Sequence, residues 1–197
     1  MKKIILASIW FVLMLPSLSN ATLIIPSTVS GTGVFNDDVN LINNGVVPTE
    51  GTTWTANSTV HWFGTTPTFT LDFGDLYNVN DVLISVDNND YLDIDWSNNL
   101  LSWTRLFTIN RNYGEIGNGM DTFSTVAGDT EYVAGIDFTT VQARYLRIKA
   151  TGGDGMYAIG ELQAFGSKAS SVPEPSTLAI FALGMIGLAS CRFKKQS

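Results

Sequence analysis

The chain has 197 residues, 45% hydrophobic and 15% charged, with 18 acids against 11 bases and a formal net charge of −7. One histidine and one cysteine exclude zinc sites built on several such ligands, Cys–His catalytic pairs and disulfide scaffolds. Five of the bases lie near the ends (Lys2, Lys3, Arg192, Lys194, Lys195), so residues 22–168 carry 17 acids and 6 bases, a net charge of −11 that repels nucleic-acid phosphates and anionic headgroups.

In chain order, Lys2 and Lys3 form a positive n-region, Ile4 to Leu15 an apolar h-region, and Ser19-Asn20-Ala21 a small-x-small site. This predicts a secretory signal peptide, helical and cut by signal peptidase after Ala21. The expected division is then residues 1–21 as signal, 22–168 as the exported domain and 169–197 as a second targeting segment. At about 147 residues the middle part is long enough to bury its own core.

That middle part reads as all-β, because Gly and Asn punctuate short alternating or β-branched runs. Phe69 to Phe73 alternates apolar and polar, and Val82 to Val86 suits a strand covered on both faces. In Tyr91 to Trp96, Leu92, Ile94 and Trp96 share one face and Tyr91, Asp93 and Asp95 the other. Further strands are expected over Trp103–Ile109, Tyr132–Phe138, Arg144–Ala150 and Glu161–Phe165. Asp87-Asn88-Asn89-Asp90 lacks the length and terminal Glu of an EF-hand and reads as a turn of self-capping side chains. Arg144 and Arg147 cannot face the same way without a bulge, so at least one is expected either at the surface or buried in an ion pair, for which Asp72 is a candidate partner. Gly74 and Gly166 read as tight turns at strand ends.

Leu41-Ile42-Asn43-Asn44-Gly45, Thr52-Thr53-Trp54 and Phe69-Thr70-Leu71-Asp72-Phe73-Gly74 follow one another in an order that resembles the opening of discoidin (coagulation-factor C-type) domains. Tyr91 to Ser97 with Ser102-Trp103-Thr104 resembles their central segment. Ala143-Arg144-Tyr145-Leu146-Arg147-Ile148 and Ala158 to Gly166 resemble their ending. The resemblance implies an eight-stranded antiparallel jelly-roll sandwich of the galactose-binding-like kind, its termini close together. With the targeting segments added, a signal helix and a C-terminal hydrophobic helix flank it.

The same resemblance implies a structural Ca2+ under the 41–45 loop, with ligands from the Leu41 carbonyl, Asn44, Thr52 and Glu161. Calcium takes six to eight oxygens. Here Asn44 replaces the expected carboxylate and Val46 a second acid, which lowers the expected affinity. Sugar-binding relatives use aromatic platforms and planar polar groups, and the matching candidates are Trp62 and Phe63, before a Gly-Thr-Thr-Pro turn, and Arg111, Asn112 and Tyr113, in a Gly-rich loop. Val60-His61-Trp62-Phe63 also reads as a strand with Trp62 in the core, and both readings of Trp62 stand. Trp54 and Trp103 read as core or loop-pinning residues.

The chain ends with Val172-Pro173-Glu174-Pro175-Ser176, an apolar run from Leu178 to Ala189, and Arg192, Lys194 and Lys195. Prolines hold the first element extended, the run partitions into the bilayer, and the cations stay cytoplasmic. This resembles the PEP-CTERM sorting signal of Gram-negative bacteria. It implies handling by the membrane protease-transpeptidase exosortase, with membrane attachment through the helix before processing. The alternative for the same residues is an ordinary C-terminal membrane anchor.

The combined expectation is a non-enzymatic, surface-sorted binding module for exopolysaccharide or another glycan, in the biofilm, envelope or extracellular matrix of a Gram-negative cell. The alternative is a structural or adhesive matrix protein without sugar specificity. A small glycan-active enzyme would need a carboxylate pair, for which Asp93 and Asp95 are the only candidates.

Overall fold

A computed structural model of the chain describes residues 21–169. The chain divides into two compact units, Met1–Ser167 and Lys168–Ser197. The expected signal helix, Val172, Pro173, Glu174, Pro175 and the apolar run expected near the C-terminus lie outside the described residues. Among the described residues, no helix is long and apolar enough to cross a membrane.

Ten strands are found there: β1 (Thr22–Ile24), β2 (Thr28–Thr32), β3 (Phe35–Asn36), β4 (Val60–Phe63), β5 (Thr68–Asp87), β6 (Tyr91–Ser97), β7 (Thr104–Ile109), β8 (Met120–Ser124), β9 (Val141–Gly152) and β10 (Met156–Lys168). They run in the order β3-β4-β10-β5-β9-β6-β7, with β1 on β10 and both β2 and β8 on β5. Strand β5 changes partners along its 20 residues. Thr68–Asp72 lies between β2 and β9, while Leu83–Asp87 pairs with β8. The partner exchange lets one strand serve both layers of a jelly-roll sandwich, which closes over a single core of residues such as Trp62, Phe69, Leu71, Ile84, Ile94 and Phe123. Thr22 pairs with Gly166, so the first and last strands of the described residues lie side by side.

Three expectations need correction. Ten strands replace eight, because the short β1 and β3 carry no alternating pattern of their own. Tyr132–Phe138 is not a strand: it makes one isolated bridge, Tyr132 to Ser124, and a 3-10 turn over Ala134–Ile136. Val133 and Ile136 stand three apart, the repeat of that turn, and both pack on the core. Gly166 is no turn but lies inside β10, where a Cβ would strike the Asn78 carbonyl. The polar face of β6 is covered by cations. Asp93 accepts from Arg105 at 2.6 Å and Thr108 at 2.7 Å, and Asp95 is held by Arg147 at 2.6 Å and Lys149 at 2.9 Å. Burial opposes ionisation of Asp95, yet Arg147 and Lys149 hold its carboxyl below the usual carboxylate range. Arg147 in turn lies over the Trp103 ring at 4.1 Å, so Trp103 pins the loop before β7.

Candidate functional site

Alternation along β4 puts Trp62 and Phe63 on opposite sides of the sandwich. Trp62 is 0% exposed, stacked on Tyr157 at 5.7 Å and tilted against Phe69 at 4.8 Å. It therefore offers no face to a ligand, and its platform role is corrected to a core role. Phe63 is 63% exposed at the end of the strand. Trp54, half-buried, meets it edge to face at 5.4 Å and meets His61 likewise at 5.2 Å. His61 Nδ1 lies 2.9 Å from Asp37 Oδ2, close enough for an ion pair once the imidazole is protonated. Asp37 holds a left-handed φ of 73°, unusual for a side-chain-bearing residue. The result is an aromatic edge, Phe63–Trp54–His61, with a carboxylate at its border.

The loops beside this edge are tied together. Gly64 N–H donates to the Gly155 carbonyl at 3.0 Å, bringing the turn after Phe63 against the β9–β10 turn. Asn89 Nδ2 donates to Asp154 Oδ2 at 3.1 Å, joining the β5–β6 turn to the same place. Asn88 Nδ2 reaches the Ile116 carbonyl and Met120 N–H the Thr52 carbonyl, at 2.8 Å for the latter. Asn88 and Asn89 therefore bridge to other loops, whereas the Asp87 carboxylate accepts the Asn88 N–H of its own turn, so the expectation of self-capping holds for Asp87 and not for the two asparagines.

Arg111, Asn112 and Tyr113 are exposed, as a surface role requires, but they diverge. Arg111 lies over the Tyr91 ring at 5.8 Å, Tyr113 packs on Gly135, and Asn112 donates its N–H to Asn110 Oδ1 at 3.1 Å. The structure unites Phe63 with Trp54 and, through His61, with Asp37, neither of which was a sugar-contact candidate. Trp54 was visible only as part of Thr-x-Trp, and nothing in the sequence places it over a side chain nine residues on.

Under the 41–45 loop, Glu161 is fully buried and its carboxylate accepts the N–H groups of Asn44 and Gly45, each at 3.2 Å, and the Gln163 amide at 3.1 Å. Burial raises the Glu161 carboxyl above its ordinary range despite these donors. Asn44 Oδ1 is engaged by Val46 N–H at 2.8 Å, and the Thr52 carbonyl by Met120. Leu41 belongs to the 3-10 turn Val39–Asn43, where its N–H donates to the Asp38 carbonyl at 3.0 Å. The loop as a whole presents amide N–H groups to Glu161, an arrangement suited to an anion. This donor set does not fit a calcium ion as it stands. Asp93 and Asp95, saturated by cations, do not form a free acid–nucleophile pair either.

Residues 171–195 match the PEP-CTERM protein-sorting motif, which marks the chain for export and sorting at the membrane. None of the curated proteins matches the sequence. Among solved structures, a fucolectin from striped bass (Morone saxatilis) serum superposes with a TM-score of 0.53 at 16% identity, covering 74% of this chain and 48% of that one. A histidine mutant of the lectin domain of lectinolysin, complexed with Lewis b, gives 0.51 at 14% identity over 71% and 92% of the two chains. Truncated AlyQ, with CBM32 and alginate lyase domains, gives 0.50 at 18% identity over 77% of this chain and 35% of that one. The chain thus carries a PEP-CTERM sorting motif at residues 171–195 and, ahead of it, a domain with the discoidin-like, galactose-binding fold.

Proposed function

We propose that this protein is an exported, non-enzymatic glycan-binding module, delivered through its PEP-CTERM motif after signal peptidase cuts behind Ala21. Exosortase processes the segment after about residue 168, and the domain then works on polysaccharide at the surface or in the matrix of a Gram-negative cell. The observation that carries this reading is Phe63, a 63% exposed ring at a strand end with Trp54 set edge-on against it and Asp37 beside His61 at its border. A ring in that position covers the apolar C–H face of a pyranose, while the carboxylate and imidazole bond its hydroxyls. The fold supports the reading, since the fucolectin and the lectinolysin domain are lectins by name. Arg111 with Tyr91, and Tyr113, supply further polar and aromatic surface for a longer chain.

The test is a glycan array on the full chain in detergent, followed by titration of any hit. Saturable binding that falls at least tenfold in Phe63→Ala and in Trp54→Ala, with the melting temperature unchanged in the former, supports the site. Absence of binding across a broad array overturns the glycan reading in favour of a structural or adhesive role. Binding unaffected by either substitution overturns the site.

A further inference from the structure

The turn Asp87–Asp90 and the β9–β10 turn enclose buried acidic groups. Asp90 is 0% exposed and Asp87 3%. The Asp90 carboxylate packs where a side chain on Gly153 would otherwise lie, and Oδ1 accepts the Asp154 N–H at a long 3.3 Å. Its other oxygen, Oδ2, is buried without any donor, and so is Asn89 Oδ1. Asn89 is joined to the same turn, since its Nδ2 donates to Asp154 Oδ2, while Asp154 Oδ1 accepts the Met156 N–H at 2.8 Å. Five cations of the domain are committed elsewhere: Arg105 to Asp93, Arg144 to Asp72, Arg147 and Lys149 to Asp95, and Arg111 over Tyr91.

A buried carboxylate oxygen and a buried amide oxygen, Asp90 Oδ2 and Asn89 Oδ1, left without donors are costly in a protein interior. A cation relieves both oxygens at once. The donors are oxygens only, which favours a hard ion, and calcium tolerates an irregular set drawn from two turns and completed by water. Among the described residues no three acidic, histidine or cysteine side chains close on one point, so the amide oxygen of Asn89 is an essential member of the set.

We propose that the β5–β6 and β9–β10 turns bind a calcium-class divalent cation through Asp90, Asn89 and Asp154. The ion sits apart from the 41–45 loop, whose N–H groups already hold Glu161. It locks the two turns that flank the Phe63 edge, and the proposal does not depend on whether that edge binds sugar.

The probe is calcium chloride, titrated into the chelator-treated full chain in detergent by calorimetry, with the melting temperature followed in parallel. One saturable site and a raised melting temperature are expected. Asp154→Asn, at an exposed position, should weaken binding at least tenfold and still fold. Asp90→Asn should abolish the calcium-induced shift while raising the melting temperature of the metal-free protein. Glu161→Gln should leave calcium affinity unchanged. The proposal is overturned by no binding at ~10 mM calcium, above the range of weak extracellular modules. Binding that survives in Asp154→Asn and Asp90→Asn, or that is lost only in Glu161→Gln, overturns it equally.

Discussion

Arg144 donates to both carboxylate oxygens of Asp72, Nε to Oδ1 at 2.9 Å and Nη2 to Oδ2 at 3.0 Å. The pair closes the bulge where β5 slips against β9 between Asp72 and Tyr77. Asp72 also accepts the Gly74 N–H at 2.7 Å, so one carboxylate fixes both the bulge and the neighbouring strand. The hydrogen bonds from Arg144 hold the Asp72 carboxyl below its ordinary range. Its stabilisation is therefore complete above the unfolded-state value and lost as pH falls through the folded one. Arg144 is 39% exposed, so solvent screening limits the effect of Asp72→Asn to about 1 kcal/mol at neutral pH. Urea unfolding at pH 7 and pH 3 should show that the deficit shrinks in acid.

Trp62 and Phe63 should behave as opposites under the same substitution. Trp62→Ala empties the space between Tyr157 and Phe69 and should cost about 3–5 kcal/mol. Phe63→Ala removes a mostly exposed ring and should cost less than ~1 kcal/mol. Chemical denaturation of both variants, beside their glycan titration, separates core from surface. A Phe63→Ala protein as unstable as Trp62→Ala would mean that the exposed ring holds the fold.

Glu161 fills the place under the 41–45 loop by accepting N–H groups. Glu161→Gln keeps one acceptor but turns an NH2 group toward amides that need an oxygen. An unmet buried donor costs about 1–3 kcal/mol. Hydrogen exchange should localise the loss, with Asn44, Gly45 and Val46 exchanging faster and the β4–β10 ladder unchanged.

Much of the sandwich is visible in the chain because its strands alternate: Phe69, Leu71 and Phe73 face inward and Thr70 and Asp72 do not. Alternation also separates Arg144 from Arg147, since two residues three apart cannot share a strand face, but the pairing of Arg144 with Asp72 comes from the register of β5 on β9. Periodicity stops short where both sides of a strand are apolar. His61, Trp62 and Phe63 give no sign of which ring is inside, and only the packing of Phe69 and Tyr157 decides it. Tyr132–Phe138 misleads because Val133 and Ile136 have bulky, strand-like side chains but a spacing of three. The union of Asn89 with Asp154 spans 65 residues between two glycine- and asparagine-rich turns, and such turns look alike wherever they fold. Asp93 and Asp95 find their cations on β7 and β9, a pairing that no local pattern records.

The acidic turns should leave a signature in the pH dependence of stability. Asp90 and Asp87, raised to about 8 and about 6 by burial and by neighbouring carboxylates, bind protons in the folded state that the unfolded chain releases near pH 4. Between those values the native state holds more protons than the unfolded one, so stability falls as pH rises. The metal-free protein should therefore melt several degrees higher at pH 5 than at pH 8, whereas the Asp72–Arg144 pair acts only below about pH 4. Asp90→Asn removes the group with the larger shift and should flatten the slope between pH 6 and 8. Calcium should flatten it as well, by favouring the ionised carboxylates at high pH. Equal melting temperatures at pH 5 and pH 8 in chelator, for the parent and Asp90→Asn alike, would show that these carboxylates already find compensation in the folded protein.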